Sequence, residues 1–124
     1  MIIAVDFDGT IVEHKFPEIG EELPGAIETL NALQSSGHSI ILWTCRGNEY
    51  LEQAVSWCHE RGFFPNAVNK NIAEKPPGWS DPKVYADLYI DEKGIGCYID
   101  ECEFKGRINW HVIKYFLLDT SYWS

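Results

Sequence analysis

Three short apolar runs, each stopping at a polar residue, constrain this chain more than any other feature. Met1 to Val5 runs into Asp6, Ser39 to Trp43 runs into Thr44, and Leu88 to Ile90 runs into Asp91 and Glu92. Each run is too short for a helix and reads as a buried strand. Helical patterns lie between them. Pro24 and Gly25 open one, with Ala26, Ile27, Leu30 and Leu33 at helical spacing and Gly37 as its stop. A second runs from about Asn48 to Arg61, with Leu51, Ala54, Val55 and Cys58 as its apolar stripe and Gly62 at its end. A third runs from about Asn109 to Leu118, with Trp110, Ile113 and Leu117 on one face.

The remaining stretches are less regular. Residues 7–23 read as a loop or small hairpin, Phe63 to Asn69 as a short strand and turn, and 70–82 as a loop. Gly96 to Ile99 reads as one more strand, and Tyr122 and Trp123 are expected to dock back on the core. Strands that alternate with helices imply a parallel sheet covered by helices on both faces, a three-layer Rossmann-like α/β fold. No linker or repeat divides residues 1–124, so one domain is expected. In such sheets ligands bind beyond the carboxyl ends of the strands. A parallel sheet would carry Asp6, Thr44 and Asp91 to one edge.

Composition narrows the function classes. Hydrophobic residues make up 45% of the 124, enough for a core, and no apolar run is long enough to cross a bilayer. The N-terminal residues lack the basic start and cleavage site of a signal peptide, so a cytoplasmic location is expected. The net charge of −9 argues against nucleic acid as a partner. The spacing of Cys45, Cys58, Cys97 and Cys102 matches no zinc pattern, and free thiols are expected.

The chemistry concentrates in Asp6-Phe7-Asp8-Gly9-Thr10. Two carboxylates two residues apart follow a buried strand, and a glycine then frees the backbone. A carboxylate can attack phosphorus to form an aspartyl phosphate. A second carboxylate can protonate the leaving oxygen and then deprotonate water. Backbone N–H groups in the turn can hold phosphate oxygens.

A buried strand followed by D-x-D-G-T resembles the first motif of the haloacid-dehalogenase superfamily, letter for letter. The resemblance implies that Asp6 is the nucleophile and Asp8 the general acid/base. The strand ending at Thr44 resembles the second motif, which implies that the Thr44 hydroxyl and the Cys45 N–H bind phosphate. The third motif is a lysine ahead of the last catalytic strand; Lys83 best fits that spacing, with Lys75 next. The fourth motif, a strand ending in acids, matches Asp91 and Glu92, although Glu92 replaces the commoner aspartate.

The resemblance further implies magnesium, held by Asp6, the Asp8 main-chain carbonyl and Asp91, which would let a carboxylate approach an anionic phosphate. Large members of the superfamily carry an inserted cap. The intervals 7–23 and 62–82 are too short for one, so an open site and a small capless hydrolase are expected. A small phosphomonoester is the expected substrate. Other readings are a noncatalytic or phosphoacceptor domain on the same scaffold, or a phosphatase of nucleic-acid ends.

Several residues stay ambiguous. Arg46 could contact substrate or pair with a surface acid. Asn69 and Asn71 read as turn residues, His14 as a solvated loop histidine, and Asp87 as structural. Exposed aromatics such as Trp79 would suit an interface, which leaves an oligomer open.

Overall fold

The computed structural model describes residues 1–72, 74–79, 83–94 and 107–119. Four strands form one all-parallel sheet: β1 (Ile2–Val5), β2 (Ser39–Leu42), β3 (Ala67–Val68) and β4 (Leu88–Ile90), in the order β3-β2-β1-β4. Among the described residues three helices accompany them: α1 (Ala26–Ser35), α2 (Asn48–Glu60) and α3 (Trp110–Leu118). This is the Rossmann-like α/β fold expected from the sequence, and among the described residues no sizeable cap stands on it. The expected strand at Gly96 to Ile99 and the expected docking of Tyr122 and Trp123 fall outside the described residues, as do Cys97 and Cys102.

Strand alternation sorts the core into two faces. Ile3, Val5, Ile40 and Leu42 cluster with buried residues of all three helices, among them Leu30, Leu33, Trp57 and Trp110. Ala4 and Ile41 point the other way and pack with Ala67, Val84 and Ala86. Among the described residues the layer on that second face comes from the segment leading into β4, and not from the helices expected on both faces. The small Ala4, Ala67 and Ala86 let backbone rather than a helix lie close. Cys58 is buried among the helices, and burial pushes its thiol up to about 12, so it is an inert core residue.

Register decides which residues share an edge. β1 pairs with β2 from Ile2↔Ser39 to Val5↔Leu42, and with β4 from Ile3↔Leu88 to Val5↔Ile90. Asp6, Trp43 and Asp91 therefore follow three strands that end level. Asp87 sits at the opposite end, where its Oδ2 accepts from Ile2 N at 2.7 Å. That bond ties β4 to the amino end of β1, a structural role.

Candidate active site

The chain leaves β1 through a tight turn. Phe7 O accepts from the N–H groups of Thr10, Ile11 and Val12, and Gly9 N donates to Val12 O. Gly9 has φ +84°, a backbone conformation that strains any L side chain, and a Cβ there would also displace the end of the Glu92 side chain. Residues 11–23 then double back as a small hairpin, with Glu13 N bonded to Glu21 O and Leu23 N to Ile11 O.

Thr10 holds this turn to the end of β4. Its side chain is fully buried. Its hydroxyl accepts from Glu92 N at 2.9 Å and donates to Asp6 Oδ2 at 3.2 Å, and its carbonyl accepts from Trp110 Nε1 at 2.8 Å. Thr10→Val keeps the shape but leaves the Glu92 N–H without its acceptor. The expected cost is about 1–3 kcal/mol, read as a lower urea midpoint at unchanged slope.

A cleft of about 340 Å³ opens beyond the carboxyl ends of β1, β2 and β4. That is the size of a small-ligand site. Asp6, Asp8, Thr44, Cys45 and Asp91 all line it, together with His14, Phe16, Arg46, Glu92 and Lys93. The structure thus brings together all but one of the site residues singled out from the sequence. Thr44 is braced from both sides: its N–H donates to Asn69 Oδ1 at 2.9 Å, and its hydroxyl accepts from Arg46 N at 3.2 Å. Asn69 takes the left-handed φ of +51° that an asparagine tolerates. Asn71 Oδ1 accepts from Tyr85 N at 2.7 Å, so both asparagines serve the loops.

Lys83 is the exception. Its Nζ stands 4.8 Å from the centre of the Tyr89 ring. The segment it opens lies across the second sheet face, with Val84 packed on Ala4 and Ile41 and Tyr85 N bonded to Asn71. Neither Lys83 nor Lys75 lines the cleft; Lys93 does. Lys93 follows directly on the strand end, where its N–H donates to Asp91 Oδ1 at 2.9 Å. Trp79 is half-buried against Tyr85, with ring centres 5.2 Å apart, and donates to Lys83 O.

Arg46, for which substrate contact and a surface acid were both open, pairs with Asp8, an acid of the cleft. Its Nε lies 2.7 Å from Asp8 Oδ2 and one terminal nitrogen 2.8 Å from Oδ1, a bidentate fork. The guanidinium is buried, and removing its partner would strand a charge at a cost of about 3–5 kcal/mol.

Electrostatics at Asp6 follow from this crowding. Burial away from water, then the charge of Asp91, and last that of Asp8, push its carboxyl from 3.8 up to about 6. Hydrogen bonds from Phe7 N–H and the Thr10 hydroxyl pull the other way. A bound cation would relieve this repulsion. Magnesium commonly takes one or two carboxylates and keeps several waters. Asp6 and Asp91 can supply the carboxylates and the Asp8 main-chain carbonyl a neutral oxygen, so the donor set fits. Among the described residues no group of three or more His, Cys, Asp or Glu side chains forms a larger cage. No helix there is long and apolar enough to cross a membrane.

No protein-family model and no curated protein matches the chain. A solved structure of a conserved protein from Bacteroides thetaiotaomicron is similar to it. The two are 44% identical, with a TM-score of 0.80 over 97% of this chain and 91% of the other.

Proposed function

The chain belongs to one family with that conserved Bacteroides thetaiotaomicron protein, and we propose that it is a magnesium-dependent phosphomonoester hydrolase of the haloacid-dehalogenase type. One observation carries this reading: Asp6, Asp8, Thr44 and Asp91, which come from the ends of three different strands, line one cleft. Asp6 attacks phosphorus, and the bond to the leaving oxygen breaks as Asp8 gives that oxygen a proton. Asp8 then takes a proton from water, which attacks the aspartyl phosphate and returns Asp6 as a carboxylate. Thr44 and the Cys45 N–H hold the phosphoryl oxygens, and Lys93, at the cleft wall, adds positive charge near them.

Magnesium, when bound at Asp6, Asp91 and the Asp8 carbonyl, neutralises phosphate charge and orients the phosphoryl group. The open cleft suits a small phosphorylated substrate.

The test is hydrolysis of an aryl phosphate with and without magnesium. Turnover is expected to stop on chelation with EDTA and to return when magnesium is restored. Turnover indifferent to EDTA would overturn the metal's part in this reading.

The doubly bonded Asp8 favours a second reading, a phosphoacceptor whose aspartyl phosphate is long-lived. An Asp8 held fast by Arg46 would deprotonate water slowly. A phosphoenzyme that persists through many times the assay's turnover period would favour it.

A further inference from the structure

We propose that Arg46 is the positioning residue for Asp8, and that it ties this carboxyl to the loop walling the cleft. The inference rests on the reading of Asp8 as the acid that serves the leaving oxygen.

A guanidinium carries five N–H donors, and Arg46 has an acceptor for each. Nε donates to Asp8 Oδ2 at 2.7 Å. One terminal nitrogen donates to Asp8 Oδ1 at 2.8 Å and Glu18 O at 2.9 Å. The other donates to Pro17 O and Tyr50 O, both at 3.3 Å. In this arrangement no donor is left for a substrate. The cation also packs on two rings, with its central carbon 5.3 Å from the centre of Phe7 and 5.0 Å from that of Phe16. Arg46 is 3% exposed, whereas Phe16 is 50% exposed and lines the cleft. The same buried cation therefore grips the catalytic turn through Asp8, the cleft wall through residues 16–18, and α2 through Tyr50.

This grip has a chemical consequence. A planar fork allows the Asp8 carboxylate one orientation. As the Asp6 oxygen bonds to phosphorus and the bond to the leaving oxygen breaks, the fork holds the Asp8 carboxyl at the cleft, where it gives that oxygen a proton. Arg46 thus aims the proton without touching the substrate.

Leaving-group dependence distinguishes aiming from mere support of the fold. An alkyl phosphate needs its leaving oxygen protonated, whereas an aryl phosphate with an acidic phenol scarcely does. We would measure kcat/KM for both substrates in the wild type, Arg46→Lys, Arg46→Gln, Asp8→Asn and the Asp8→Asn/Arg46→Gln pair, with circular dichroism to confirm folding. Arg46→Gln is expected to lose at least about tenfold more activity on the alkyl than on the aryl phosphate. Asp8→Asn should show the same bias, and adding Arg46→Gln to it should add none. Arg46→Lys, which keeps the charge but not the fork, should fall between and serves if Arg46→Gln does not fold.

Equal losses on both substrates in a folded Arg46 variant, with the bias intact in Asp8→Asn, would overturn the positioning role alone. Loss of the bias in Asp8→Asn itself would overturn the role of Asp8 and this inference with it. A wild type inactive on both substrates would overturn the hydrolase reading, and this inference would fall too.

Discussion

Asp6→Asn is expected to abolish turnover while making the metal-free protein more stable above pH 6. An amide cannot attack phosphorus, and loss of a nucleophile costs on the order of 10⁴–10⁶-fold in kcat. The stability gain comes from the same crowding. Asp6 binds its proton more tightly in the folded chain, about 6 against an ordinary 3.8. Its burial is thus harmless below pH 3.8, and stability is lost as pH rises from there to about 6. That interval corresponds to roughly 3 kcal/mol at about 1.4 kcal/mol per pH unit, which solvent screening in the open cleft reduces to about 1–2 kcal/mol. Asn keeps an oxygen for the Thr10 hydroxyl and carries no charge. Thermal melts from pH 4 to 8 without metal should show a gap between variant and wild type that opens up to pH 6 and then stays level. A variant less stable than the wild type at pH 7 would contradict the account of Asp6.

Asp8→Asn should lower kcat by about 10²–10⁴-fold, the usual worth of a general acid or base. It should also change which species is seen. Asp6 remains able to attack a substrate whose leaving group needs no proton, but water is no longer activated. With an aryl phosphate the aspartyl phosphate should therefore accumulate, giving a burst of phenol followed by slow turnover. A fall in rate without a burst would place the role of Asp8 before attack only. The substitution also breaks the ion pair with Arg46, so the folded state of the variant must be verified by its melting curve.

The cleft was legible in the sequence because of where the apolar runs stop. A buried strand that ends on a carboxylate exposes it at the sheet edge, and Asp6, Thr44 and Asp91 needed only parallel pairing to meet. What the sequence does not carry is register. Val5 pairs with Leu42, which sets Asp8 and Arg46 side by side past the ends of β1 and β2 although 38 residues separate them. Without that pairing Arg46 has no visible partner.

Lys83 shows the same effect in reverse. Its place ahead of β4 looked favourable, but the side chain lies over the Tyr89 ring, beside a segment that packs across the second sheet face, and does not line the cleft. Lys93 carried no such signal, because it lies beyond the strand and not ahead of it. The covering of the second sheet face by Val84 and Ala86 was hidden for a different reason. Irregular segments carry no periodicity by which to predict their packing.

The most direct test of the central claim is the mass of the peptide ending at Lys15, from Asp8→Asn quenched in acid during turnover of an aryl phosphate with magnesium. In that variant Asp6 is the peptide's one aspartate. The account predicts the added mass of one phosphoryl group, located on Asp6 and removed by hydroxylamine. A phosphoryl group on another residue, or wild-type turnover that survives Asp6→Asn, would contradict it.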